Sequence, residues 1–189
     1  MKRLCILLIG ITAALSLAHG AGTVISDSFY SEALGSTRYM RIYLPEGYDT
    51  SGIDYPVVYF LHGGLSNHMG YSYIYYHLDT LIGNGHIDPV IVVKPDASVG
   101  PYYGSCYTNS ALYGDFEDYL VYDLIAYIDT TYRVISSRDA RSVMGHSMGG
   151  SGAFKLAFMH PDVYRAVVDH SGLVDHDVLL QYYRPIILG

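Results

Sequence analysis

This 189-residue chain predicts an α/β domain, with a mostly parallel sheet covered by helices on both faces. Three observations carry that expectation. Short, wholly apolar runs alternate with longer stretches of helical periodicity, and strands apolar throughout belong to sheets buried on both sides. A short strand-like run, 141–144, leads through G-H-S-M-G into a helical stretch. Another, "YPVVYFLHGG" at 55–64, closes on two glycines. Ligands of a parallel sheet bind at the carboxyl ends of its strands, so both glycine-rich ends fall on the binding side.

The elements follow in order. Lys2 and Arg3 precede an apolar run from Leu4 to Leu17, and Ala18-His19-Gly20 offers a small-residue cleavage site before Ala21. This reads as a signal peptide over 1–20, because the apolar core is shorter than the roughly 20 residues of a spanning helix. Residues 21–189 then form one domain, without repeats or linkers. "RYMRIYLPEGYD" (38–49) alternates like a strand and ends in a Pro/Gly turn, and 55–64 is a buried strand and loop. In 71–85, Ile74, Leu78, Leu81 and Ile82 share a helical face that stops at Gly83-Asn84-Gly85. "DPVIVVKPD" (88–96) is a further buried strand. The clearest helix is 114–134, capped by Asp115, with Leu120, Leu124 and Ile128 spaced by four and Val121 and Ile125 beside them. A short strand at 141–145, a helix at 148–160 ended by Pro161, and a strand at 164–172 complete the pattern.

Composition narrows the function. Cys5 leaves with the signal, so Cys106 has no partner for an intramolecular disulfide. Loss of Lys2 and Arg3 takes the net charge from −7 to −9, which lacks the basic footprint of a nucleic-acid binder. No later segment is long and apolar enough to span a membrane, so a secreted or periplasmic protein with no membrane association after cleavage is expected. The nine histidines show no ligand spacing, so neither metal nor cofactor is expected.

The chemistry gathers at Ser147. It follows one strand and opens a helix, the strand–turn–helix setting of a nucleophile elbow. Gly145 and Gly149 lack the Cβ atoms that would obstruct a tight turn and close packing. The helix N-terminus beneath the serine offers free N–H groups and a positive dipole to a developing oxyanion. The N–H of Met148, with that of Gly64 or Leu65 in the loop "HGGL", could form a two-donor oxyanion hole.

The run "YPVVYFLHGG" and the block "DLIAYIDTTYRV…RDARSVMGHSMGGSGAFKLAFMHPDVYRAVVDHSG" resemble an esterase family of α/β-hydrolases. That family includes feruloyl and other carbohydrate esterases, S-formylglutathione hydrolases and mycolyltransferases. The resemblance spans roughly 40 to 172. It implies the α/β-hydrolase fold, Ser147 as nucleophile, and Met148 with Gly64 or Leu65 as oxyanion donors. It also implies an acid after the next strand and a histidine after one more, in the order Ser, Asp or Glu, His. After Gly172 only "LVDHDVLLQYYRPIILG" remains, so both are expected beyond Gly189, with the last strands missing from an esterase domain incomplete at its C-terminus.

Of the histidines present, His62 is expected to hold the oxyanion loop by a side-chain hydrogen bond. His146 is a poor base, because neighbours on a tight turn point apart. His160 is remote and His170 lies inside a strand. His176 is the candidate on a loop at the proper end of the sheet. Removing a triad member leaves only ~10³–10⁴-fold catalysis over water.

Tyrosines cluster at 70–77 and 100–114. Tyr102, Tyr103, Tyr107 and Tyr113 could form an aromatic rim for a sugar or phenolic ester, or else fill a lid. The expected function is a secreted serine carboxylester hydrolase acting on a carbohydrate or phenolic ester. The alternatives are a non-catalytic glycan- or peptide-binding module on the same fold, and an acyltransferase.

Overall fold

The computed structural model describes residues 20–100 and 104–175. Alternation of apolar and polar side chains builds a hairpin first, from β1 (Thr23–Ser31) and β2 (Ser36–Leu44). The apolar runs then give β3 (Val57–Leu61), β4 (Ile91–Pro95), β5 (Arg141–His146) and β6 (Ala166–His170). They assemble as a six-stranded sheet in the order β1-β2-β4-β3-β5-β6. The β3–β4, β3–β5 and β5–β6 pairs are parallel, whereas β1–β2 and β2–β4 are antiparallel. The mostly parallel sheet predicted from the sequence is therefore present, with an antiparallel hairpin added at one edge. Strand β1 escaped the sequence reading because its faces are only half covered, and no continuous apolar run marks it.

Helices cover both faces. Odd-numbered Tyr59, Leu61, Ile91, Val93 and Val143 join the larger core beneath a helical stretch α2 and helix α3 (Met148–Met159). Here α2 runs through Phe116–Asp118, Tyr119–Leu124 and Ile125–Thr131, the middle turns widened to π geometry. Leu120, Val121, Leu124, Ile125 and Ile128 of α2 are all buried, as the spacing requires. Even-numbered Phe60 and Val92 face the other way, against Ile74, Tyr75, Leu78 and Ile82 of α1 (Tyr73–Gly83). Each such side chain taken fully from water contributes about 1.5–3 kcal/mol, which holds the helices to the sheet.

Two local expectations are corrected. Leu81 is 39% exposed, so the buried face of α1 is narrower than its spacing implied. Asp115 stands at the start of α2 but its side chain accepts no capping bond. Asn109 Oδ1 takes that role, accepting from the N–H groups of Glu117 and Asp118 at 3.0 and 3.1 Å. Among the described residues no helix is long and apolar enough to cross a membrane. The signal-peptide expectation over 1–20 lies, all but Gly20, outside the described residues, as do His176, Tyr102 and Tyr103.

Candidate active site

The turn from β5 into α3 is where the backbone is most constrained. Ser147 sits at φ 54°, ψ −120°, a region that costs a non-glycine residue roughly 1–3 kcal/mol. Its N–H donates to the carbonyl of His170 at 2.9 Å, which fastens the turn to the end of β6. Its hydroxyl is exposed and has no hydrogen-bond partner among the described residues. Packing around the turn explains the glycines. A Cβ on Gly145 would lie 2.1 Å from the Gly149 carbonyl oxygen, and one on Gly149 would lie 2.1 Å from that of Leu61. One on Gly150 would meet Asp169 Oδ1 at 2.2 Å. The sequence G-H-S-M-G-G thus lets α3 touch β3 and β5 backbone to backbone and press on the Asp169 side chain of β6.

That contact brings the loop after β3 alongside the start of α3. His62 is 1% exposed and organises the loop. Its Nε2 accepts the N–H of Ala97 at 3.0 Å, so the proton of the neutral ring is on Nδ1, which donates to the Gly63 carbonyl at 2.9 Å. The Gly63 carbonyl also accepts from Ser66 N–H. In a trans peptide the next N–H points opposite to the carbonyl, so the Gly64 N–H is aimed away from both donors. Neither the Gly64 nor the Leu65 N–H has an acceptor among the described residues, and Leu65 is exposed at φ 62°. Met148, the first residue of α3, has a free N–H by virtue of its position. The loop-holding role expected of His62 is what its bonds perform.

Burial holds the His62 pKa below the ordinary imidazole value of 6.5, outweighing the bond to Gly63 and the Asp96 carboxylate 3.9 Å away. The unfolded chain therefore takes up a proton before the folded one does. This contribution to stability is complete above pH 6.5 and is lost as the pH falls below it. His68, also lowered chiefly by burial, acts in the same direction. Urea midpoints should accordingly fall between pH 7.5 and 5.5, and His62→Asn should shrink that fall without abolishing it. An unaltered pH slope in the variant would show that His62 is not the titrating group.

Other histidines are engaged elsewhere. His146 Nδ1 bonds the Tyr71 hydroxyl at 2.9 Å, and its ring lies 5.2 Å from that of His170. His170 stands at the exposed end of β6. His160 is tied to Glu117 at 2.8 Å, remote from the turn as expected. No described histidine side chain bonds the Ser147 hydroxyl, so none is assigned as its base. Tyr107 is fully buried and donates to the His62 carbonyl at 2.6 Å. It lies beneath the loop and not on a rim, a correction to the substrate-facing expectation. Tyr113 is half-buried against the core.

Two further residues support the loop without having been singled out. Tyr71 Oη accepts the Gly63 N–H at 3.2 Å. Lys94 is 1% exposed, donates to the Gly70 carbonyl and lies 4.8 Å from the Tyr75 ring centre. Burial lowers its pKa to about 8, which leaves it charged at neutral pH. The charged residue in an otherwise apolar run, "PVIVVKP", was a legible signal for Lys94. Tyr71 had none beyond following Gly70.

A central parallel sheet, crossover helices on both faces and a serine on a strained strand-to-helix turn define an α/β-hydrolase. Solved structures agree. A ferulic acid esterase superposes with a TM-score of 0.76 at 28% identity, over 81% of this chain and 60% of its own. The fluorophosphonate-binding serine hydrolase F of Staphylococcus aureus gives 0.69 at 25% identity, over 85% of this chain and 61% of its own. The chain belongs to the esterase family described as "Putative esterase", whose model matches residues 31–179. Among curated proteins, Esterase Rv1288 of Mycobacterium tuberculosis is 29% identical over 144 residues, 76% of this chain. That alignment covers 31% of the mycobacterial protein, so this chain spans about a third of its length.

Proposed function

We propose that this chain is an exported serine carboxylester hydrolase that forms an acyl-enzyme on Ser147. The observation that carries the reading is the strained turn at Ser147, whose hydroxyl has no partner among the described residues, set against a loop whose Gly64 and Leu65 N–H groups have none there either. In the first step Ser147 Oγ forms a bond to the ester carbonyl carbon and gives its proton to a base. The carbonyl oxygen, now negative, takes hydrogen bonds from Met148 N–H and from Gly64 or Leu65 N–H. Donors fixed in advance favour this charge over the neutral ester, and each is worth about 10²–10³ in kcat. Collapse breaks the bond to the alcohol, which leaves with a proton. Water then repeats the attack on the acyl-serine, releasing the acid and restoring the hydroxyl. The base lies outside the described contacts of Ser147, and His176 remains the in-chain candidate.

Relatives named for ester hydrolysis, including a ferulic acid esterase, support a carbohydrate or phenolic ester as substrate. The apolar run at Leu4–Leu17 behind Lys2 and Arg3 supports export. A fluorophosphonate probe tests the chemistry, since it reacts with an activated serine. Intact mass and peptide mapping should place one adduct on Ser147. A folded protein that stays unlabelled under conditions that label a known serine esterase would refute the reading and favour a non-catalytic binding module.

A further inference from the structure

We propose that the Tyr71 hydroxyl is a clip joining the oxyanion loop to the nucleophile elbow, a positioning role that rests on the esterase reading above. Three separate segments meet at this one oxygen. Gly63 N–H, in the loop after β3, donates to it at 3.2 Å. His146 Nδ1, one residue before Ser147, lies 2.9 Å away. Tyr71 itself belongs to the approach to α1 and stands at φ 58°, a left-handed conformation that a tyrosine does not adopt by preference. The contact is close-fitting, because a Cβ on Gly63 would lie 2.7 Å from the hydroxyl and 3.3 Å from the His146 carbonyl.

The donor pattern follows from these partners. Gly63 N–H can only donate, so the phenol oxygen accepts there. The phenol hydrogen then has His146 Nδ1 as its acceptor among the described residues, which puts the neutral His146 proton on Nε2. Consequently the bond to Gly63 fixes the 62–63 peptide, while His62 and Ser66 fix the next one. Together they set the direction of the Gly64 N–H. The bond to His146 holds the strand end from which Ser147 and Met148 follow. One hydroxyl thereby ties Gly63, beside the Gly64 half of the proposed oxyanion hole, to His146, two residues before its Met148 half, and the spacing of two donors is what a developing oxyanion reads.

Ring and hydroxyl can be separated. The Tyr71 ring packs on Phe60 at 5.3 Å and on His146 at 5.4 Å between centroids, contacts that phenylalanine retains. Lys94 still holds Gly70, the preceding residue, by its bond to that carbonyl. Tyr71→Phe therefore removes the clip and little else. Tyr73, 61% exposed, provides the matched control.

The test compares Tyr71→Phe, Tyr73→Phe and the parent chain in two ways. Turnover of p-nitrophenyl acetate should show kcat lowered about tenfold or more in Tyr71→Phe with KM within about twofold, since small misplacements of reacting groups cost rate more than binding. Amide hydrogen exchange should quicken across 62–66 in the same variant, and the His146 side-chain ¹⁵N signals should lose their Nδ1-acceptor signature. Tyr73→Phe should match the parent in each. Exchange and imidazole signals unchanged in Tyr71→Phe overturn the clip, whether or not the parent hydrolyses the ester. A raised KM with kcat held also overturns it, by making Tyr71 a substrate contact. If the parent shows no Ser147-dependent turnover while exchange still quickens in Tyr71→Phe, the clip stands and the esterase reading alone fails.

Discussion

Ser147→Ala is expected to abolish fluorophosphonate capture and to lower kcat for p-nitrophenyl acetate by about 10³-fold or more. In a serine hydrolase, removing the nucleophile costs on the order of 10⁶, because the serine and its base act as one unit. What survives comes from the oxyanion donors and from binding, ~10³–10⁴ over water, and the substitution leaves those untouched. Folding should not change, for a structural reason. The hydroxyl has no partner among the described residues, so its removal orphans nothing. Alanine also inherits the same φ of 54° with a side chain no larger than serine. A change within about 0.5 kcal/mol in stability is the expectation for such a site. The combination of lost chemistry and retained stability is what distinguishes a nucleophile from a packing residue. A variant that turns over ester at the parental rate would remove Ser147 from the mechanism.

How much of this was legible in the sequence depends on the physics behind each signal. Buried parallel strands exclude polar residues over several positions, so 57–61 and 91–95 stood out as apolar runs. The turn at Ser147 was legible because tight backbone crossing admits only glycine at 145 and 149, leaving a dipeptide-spaced signature. Strand β1 was not, since a half-exposed edge strand such as "TVISDSFYS" mixes polarity as a loop does. Capping shows a different failure. Asp115 has the residue type and place for a cap, yet Asn109 occupies the donors because a short ribbon, Asn109–Ser110 with Gly114–Asp115, folds it back over the helix. Tyr107 failed for the same reason. Its position after a strand suggested a surface, and only packing against Gly152 and the His62 ring buries it. The groups that shape the loop after β3 are distant in sequence, which periodicity cannot see.

Gly149→Ala is expected to destabilise the protein by about 3 kcal/mol or more, against the ~5–15 kcal/mol that a domain of this kind possesses. Local preference points the other way. Within a helix alanine is favoured over glycine by about 1 kcal/mol, and Gly149 is the second residue of α3. Sterics decide. The added Cβ would stand 2.1 Å from the Leu61 carbonyl oxygen, 2.5 Å from its carbon and 2.7 Å from the His62 oxygen. All three are backbone atoms of β3 and its loop, so no side chain can rotate away. Relief requires α3 to lift from the sheet, which loosens its contacts with β3, β5 and β6 at once. The same motion would carry the Met148 N–H away from Gly64, so on the proposed esterase reading any folded fraction should also lose turnover. Gly100→Ala is the matched control, because nothing among the described residues lies within 4 Å of the place its Cβ would take and its φ is not left-handed. There the variant should be neutral or gain about 0.4–1 kcal/mol from a stiffer unfolded chain. Urea denaturation of the two variants measures the contrast directly. Equal midpoints would mean that α3 does not press on β3 as closely as the strained turn at Ser147 demands.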